Sequence, residues 1–399
     1  MELIKKIFYN KHQRENIIYL DKKEWEIYYS CANKWPYLVI QSLNSKSGQP
    51  GPGEEPVIRS ELDESKLFKP DSKIPPSCSL KQKDYENYMM YGGSQGHNAP
   101  FGHHKTTLDI AKSTYLYSNM TPQEIVFNAG AWMIVENWTK YAAGNKKVKN
   151  FRVINGSIAN KKTTNFNGSK INVPTHMYKI VICESTNEQF DKNKLYIACF
   201  LYPNIPIEPT EENVKIENYL IGLKELSQMT KLNFFPLFKH YYNFNPKTTR
   251  IVHLNKLIYV NFRLMPYHKN FLLNAFLFGK VIYAKSLEEL EENWKLVKKT
   301  CLEINNDPKF QEEYYLLAKS RLTKALKKHK ENHSLITNKN TKSQKMSKKQ
   351  QKLVSSSKKN KSNKSRKNKK IDIRRDYKLI NENNFINIGK NMINHTTLI

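Results

Sequence analysis

Four residues spaced i, i+4, i+8 and i+12 could act together on a phosphodiester: Asn128, Trp132, Glu136 and Lys140. On a helix of about 3.6 residues per turn they form a row along one face, drifting about 40° per step. An amide, a carboxylate and an ammonium then share one line. About thirty residues upstream, His97 lies in Gly96-His97-Asn98-Ala99-Pro100, where glycine before and proline after argue for a strand end or turn. A turn histidine facing such a helix makes a workable hydrolytic site. Imidazole can take a proton from water near neutral pH, an amide oxygen can bind a hard cation, and a carboxylate can hold that cation's waters.

Several elements must position these groups. Residues 37–43 read as a strand, and the apolar runs 177–183 and 195–201 flank a polar loop, the natural pattern of an antiparallel pair. Residues 257–264 read as a further strand. Thr121-Pro122-Gln123-Glu124 has capping-box form with proline at the first helical position, which predicts a short helical turn there. Asn128 is then either a metal ligand or the N-cap of a longer helix. A second capping box at residues 286–289 precedes Leu287, Leu290, Trp294 and Val297 at helical spacing, and Asp307-Pro308 can start another helix through Leu326.

Composition sets the outer limits. The 399 residues carry a formal net charge of +30, which favours a polyanionic partner over a merely solvated basic surface. Residues 339–370 hold fourteen Lys/Arg and no acidic residue, too polar and self-repelling to pack, so a disordered basic tail is expected over 334–399. Such a tail adds phosphate affinity, serves as a nuclear address, or is a dispensable solvated segment. The five cysteines show no Cys-x-x-Cys pair, which excludes a zinc knuckle; Cys183 and Cys199 sit in apolar runs and read as buried thiols suited to a reducing compartment. No run approaches 18 apolar residues, so a soluble protein with no membrane partner is expected. Glu2 and Glu15 argue against a mitochondrial presequence.

The residue types around the site carry a resemblance. Gly96-His97 with Ala99-Pro100, Ser118-Asn119-Met120-Thr121-Pro122-Gln123, and Asn128-Ala129-Gly130-Ala131-Trp132 with Glu136 follow one another in order. This resembles the ββα-metal, sugar-nonspecific nucleases, the DNA/RNA non-specific endonuclease family that includes endonuclease G. Val153-Ile154-Asn155-Gly156 looks like the family's strand after the metal helix, and Val173-Pro174-Thr175-His176-Met177-Tyr178-Lys179 like its next strand. Ile216-Glu217-Asn218-Tyr219-Leu220 with Leu232-Asn233-Phe234-Phe235 looks like its later helix and ending, with Lys231 where glycine is usual. The resemblance covers roughly residues 30 to 240.

What the resemblance implies is an α+β fold: a central antiparallel sheet with a ββα-metal motif flanked by helices, here followed by a helical extension. Three segments are expected: a nuclease domain over 1–240, the helical extension packed on it over 241–333, and the tail. The implied activity is endonucleolytic hydrolysis of DNA and RNA with one Mg²⁺ or Mn²⁺ on Asn128. His97 would be the general base, Glu136 would orient the cation's water, and Asn119 would orient the site or contact phosphate unless it is a satisfied turn asparagine. Arg59, Gln95 and Lys140 would meet the substrate phosphate, with a surface charge the other reading of Arg59 and a solvated face that of Lys140. His103 and His104 are not read as zinc ligands, since no cysteine or carboxylate sits at ligand spacing. Homodimers occur in the family, and nuclear and mitochondrial addresses both fit. One departure stands out: Ser94-Gln95 replaces the family's Asp-Arg, removing the arginine that helps hold the scissile phosphate. It motivates a second reading, a binder that keeps the fold without turnover; a third is a structural basic protein bound through its tail.

Overall fold

Long apolar runs that change faces at every residue build the central sheet. In the computed structural model, which describes residues 2–8, 14, 16–63, 66–158, 171–260, 266–303, 311–328 and 331, neighbouring residues of each inner strand enter opposite cores. Val153, Val181 and Ala198 join one cluster with Trp132, Val135, Trp138 and Phe200. Ile154, Ile180, Ile182, Ile197 and Cys199 join the other, with Phe8, Phe234, Leu237 and Phe238. A strand buried on both faces loses the polar/apolar alternation of a half-exposed one, which is why 177–183 and 195–201 read as unbroken apolar runs.

The strands run β1 (Ile17–Asp21), β2 (Trp25–Ser30), β3 (Trp35–Leu43), β4 (Gly93–His97), β5 (Met120–Glu124), β6 (Val148–Ile158), β7 (His176–Ser185), β8 (Lys194–Pro203), β9 (Leu220–Ile221) and β10 (Arg250–His253). The large sheet is ordered β1-β2-β3-β6-β7-β8-β10, with β9 also on β8. Its pairs are antiparallel except β10, which lies parallel to β8. A separate antiparallel pair, β4 with β5, sets His97 opposite Met120. The expected α+β architecture with an antiparallel centre is therefore present.

Two local expectations are corrected. Residues 121–124 form β5 rather than a helical turn, because pairing with β4 engages their backbone; Glu124 instead caps the following turn, accepting from the amides of Val126 and Phe127 at 2.9 and 2.6 Å. The strand expected at 257–264 lies earlier, at Arg250–His253, and is followed by a 3₁₀ turn over Leu254–Lys256. Residues 261–264, the 307–308 helix start and the 334–399 tail lie outside the described residues. The predicted capping box at Ser286 does start a helix, Leu287–Glu303, which buries Leu290, Trp294, Val297 and Cys301.

The chain forms two compact units, Met1–Ser320 and Arg321–Ile399; the second is helical over 321–328. Cys31 and Cys78 form a disulfide that spacing did not foretell, while Cys183 and Cys199 are buried thiols as expected. No described helix is long and apolar enough to cross a membrane.

Lys231 closes the Leu223–Thr230 helix at φ 60° and ψ 31°, the left-handed region that a side chain disfavours. Glycine there removes a steric penalty and adds some unfolded-state entropy. Lys231→Gly is expected to raise stability by about 0.5–1 kcal/mol, read as a higher denaturant midpoint at unchanged slope; an unchanged or lower midpoint refutes it.

Candidate active site

His97 ends β4, and the glycine before it is required by contact rather than by a turn: a Cβ at Gly96 would lie 2.1 Å from the Gln123 side chain on β5. The imidazole is held edge-on between Tyr115, at 5.1 Å between ring centroids, and Phe68, at 6.0 Å. Phe68 is anchored by its neighbour Asp71, which pairs with Lys22 at 2.5 Å and accepts from Ser118 at 2.5 Å. Among the described residues His97 Nε2 is buried with no hydrogen-bond partner. Burial, and secondarily the Arg59 guanidinium, lower its pKa to about 3, so the ring is neutral across the physiological range.

The helix opposite is not a uniform α-helix. A π-turn spans Asn128–Trp132 and passes into an α-helix, Met133–Ala143. The wider turn departs from the 3.6-residue spacing expected of the row; Trp132 is buried in the core, while Asn128, Glu136 and Lys140 are part-exposed. Asn128 has helical dihedrals and is no N-cap, that role belonging to Glu124. Its Nδ2 donates to Ser94 Oγ at 3.1 Å, which leaves Oδ1 as the acceptor end. From the other side the Pro266–Ile282 helix packs closely: a Cβ on Gly130 would lie 3.3 Å from that of Ala275.

Glu136 is the electrostatic centre. Burial raises its pKa, while Lys179, the Trp132 indole and Arg59 act in the opposite sense. Its Oε1 and the Trp132 Nε1 are both buried and outside ordinary hydrogen-bond geometry. Lys179, fully buried on β7, has its pKa lowered by burial and is held toward the ammonium form by Glu136. Its Nζ lies 4.7 Å from the centroid of Trp132 and donates to Asn155 Oδ1 at 2.7 Å, directly across the β6–β7 ladder.

A buried polar chain continues beneath. Asn155 donates to the Asn98 carbonyl, which also accepts from Gln41 Nε2 at 3.0 Å. Gln41 Oε1 faces His104 Nε2 at 2.8 Å and His103 Nδ1 at 3.3 Å; His104 Nδ1 meets Glu24 at 2.9 Å, and His103 Nε2 meets the Glu136 carbonyl at 3.2 Å. The two histidines thus link Glu24 on the first hairpin to the backbone of Glu136. Among the described residues no group of three or more His, Cys, Asp or Glu could hold a metal.

The remaining candidates divide. Asn119 is fully buried with its amide engaged: Oδ1 accepts from Ala99 N at 2.9 Å, and Nδ2 donates to the Ala99 and Thr114 carbonyls, each at 2.8 Å. It anchors the residues after His97. Arg59, exposed in a short 3₁₀ turn, acts electrostatically on both His97 and Glu136 and so lies within reach of both. Lys140 donates to the Gly102 carbonyl at 3.2 Å, and burial lowers its pKa. Lys179 ends the Val173–Lys179 strand motif and is a functional residue that motif order alone does not single out; a lone lysine inside an apolar strand is itself a signal of a buried charge needing a partner.

The model of the DNA/RNA non-specific endonuclease family matches residues 5–239, more than half the chain. The chain belongs to that family. It is 29% identical over 218 residues to the mitochondrial nuclease EXOG of Xenopus laevis, covering 52% of this chain and 55% of that one. With the mitochondrial nuclease of Saccharomyces cerevisiae it shares 27% over 228 residues, 53% and 64% of the two chains. The chain spans about half the length of the vertebrate relatives it matches. A solved EndoG/EndoGI complex aligns at 22% identity and a TM-score of 0.47, over 60% of this chain and 92% of that one.

Where the DNA/RNA non-specific endonuclease family has Asp-Arg before Gly-His, Ser94 here bridges the Gln123 carbonyl, at 3.0 Å, and Asn128. Gln95 lies on the His97 face of β4. Its amide nitrogen is buried near the Tyr117 phenol but outside hydrogen-bond geometry. Gln95→Arg restores a charged donor and is expected to raise phosphodiester cleavage about tenfold. Initial rates on a defined duplex at low and high substrate check it; equal rates in variant and wild type would show that other cations already fill the role.

Proposed function

We propose that the chain is a metal-dependent endonuclease that hydrolyses DNA and RNA with little regard to sequence. The observation that carries this reading is the convergence on the family motif of buried polar atoms that lack a hydrogen bond among the described residues: His97 Nε2, Glu136 Oε1 and Gln95 Nε2. Native proteins rarely leave such atoms unpaired, and a phosphate with a hydrated cation supplies both donors and acceptors to match them. Asn128 Oδ1 and Glu136 fit a magnesium ion that keeps most of its waters, since the described residues offer no fuller protein cage. A bound divalent cation supplies charge neutralisation at the phosphate and leaving oxygen.

His97 Nε2 takes the proton of the attacking water. Its low pKa keeps the ring unprotonated, and an incoming phosphate anion raises it toward the range in which a base is effective. Glu136, whose pKa burial raises to about 7 against the opposing pull of Lys179, orients water on its side of the phosphate as the carboxylate. Arg59 and Lys140 hold non-bridging phosphate oxygens. The product carries a 5′-phosphate, and substrate choice rests on backbone contacts that weaken steeply with salt. The mitochondrial names of the relatives favour that compartment among those expected.

Incubating the purified chain with plasmid and with RNA tests the reading. Cleavage of both with Mg²⁺, abolished by EDTA and restored by excess Mg²⁺ or Mn²⁺, is the expected result. Retardation of DNA without cutting at any metal concentration would leave only the binder.

A further inference from the structure

An open basin of about 650 Å³ lies beside the C-terminal end of the Met133–Ala143 helix, lined by Asn137, Lys140, Tyr141, Gly144, Lys146 and Lys147 with the Asn44–Ser45 turn opposite. Asn137, Lys140, Tyr141 and Gly144 stand at i, i+3, i+4 and i+7, one helical face extending about 10 Å along the axis from the turn that carries Glu136. Lys140, one of the candidate phosphate contacts, lines the basin. Its lining holds three lysines and no carboxylate.

Both walls are shaped by side-chain-capped turns. Asn145 Oδ1 accepts from Lys147 N at 2.9 Å, and Thr186 pins the same turn through the Lys146 and Lys147 carbonyls, each at 3.0 Å. Opposite, Asn44 Oδ1 accepts from Lys46 N at 2.8 Å. Between them Tyr141 is 74% exposed, an aromatic ring on a rigid helix with most of its surface in water. A ring so placed among cations, with amides on both sides, matches unpaired nucleotides: a base stacks on the ring while its phosphates meet the lysines. A duplex hides its base faces and cannot use the ring in this way.

Resting on the nuclease reading for its direction, we infer that this basin is a subsite for single-stranded nucleic acid, with Tyr141 stacking a base flanking the cleaved bond and Lys146 and Lys147 holding its phosphates. The strand runs from the His97–Glu136 centre past Lys140 into the basin. Structured duplex is gripped by the lysines alone.

The test uses the full chain in EDTA, so that binding is read apart from turnover. A single-stranded oligonucleotide carrying 5-iodouracil is irradiated with the protein, and the crosslinked peptide is mapped; DNA and RNA strands are run separately. A crosslink at Tyr141 is expected, and Tyr141→Ala should weaken single-strand binding about tenfold while Tyr141→Phe retains it. Lys146→Ser with Lys147→Ser should flatten the salt dependence by about 0.7 per lysine. Crosslinks that map only elsewhere, or single-strand affinity unchanged in Tyr141→Ala, would overturn the inference. Metal-dependent cleavage is scored separately, so a crosslink at Tyr141 without cleavage sinks the nuclease reading alone, and cleavage without the crosslink sinks the subsite alone.

Discussion

Replacing His97 with alanine is expected to reduce metal-dependent cleavage of plasmid and RNA by about 10²- to 10⁴-fold, the usual contribution of a positioned general base. Binding of uncut DNA in EDTA should stay within about twofold, because the ring lies among Phe68 and Tyr115 and adds no charge at neutral pH. The cavity left between those aromatics could loosen the strand, so His97→Asn is the companion variant: it keeps a planar polar group but has no basic nitrogen. Both should lose turnover together and show wild-type circular dichroism. Cleavage at the wild-type rate in either one would remove His97 from the chemistry.

The second large effect concerns Lys179. In Lys179→Met the side chain stays long and fills the same space beneath Trp132, but the buried cation is gone. Burial already raises the Glu136 pKa, and the ammonium beside it opposes that shift. Removing the opposing charge raises it further, by about one to three pH units for an opposite charge at this range. Since activity needs the carboxylate, the acidic limb of the pH–rate profile should move up by that amount, with loss of about ten- to a hundredfold at neutral pH and recovery at alkaline pH. A limb set by His97 would stay in place in Lys179→Met, because burial and Arg59 rather than Lys179 shift that imidazole, so the movement itself assigns the limb to Glu136. A uniform loss at every pH would mean that Lys179 only fills space or braces Asn155; Glu136→Gln should abolish the limb altogether.

The order of the motifs alone was enough to name the family and to single out His97, Asn128 and Glu136, because each is a residue type with few structural substitutes at its spacing. Helical periodicity over 286–297 and the apolar strands 177–183 and 195–201 were legible for the same reason: burial leaves a regular imprint on the chain. The π-turn left no such imprint. One extra residue in a turn is stabilised by what packs on it, here the Pro266–Ile282 helix from far along the chain. Thr121-Pro122-Gln123-Glu124 carried a helix-start pattern, yet pairing with β4 overrode it. Local capping is worth about 1 kcal/mol, less than a hairpin's ladder and buried faces together supply.

Sequence by itself determined the chemistry available to this protein: one imidazole, one amide, one carboxylate and an excess of cations, arranged in the order of a nuclease motif. Only the tertiary structure decided how those groups are charged and held. Lys179 is opposite Asn155 because of the β6–β7 register, and Glu136 is tied to Glu24 through His103 and His104 of one turn and Gln41 of β3. The reason is physical. A residue's identity is local, but its pKa depends on burial and on neighbouring charges, and those are set by segments distant in sequence that share one low-dielectric interior.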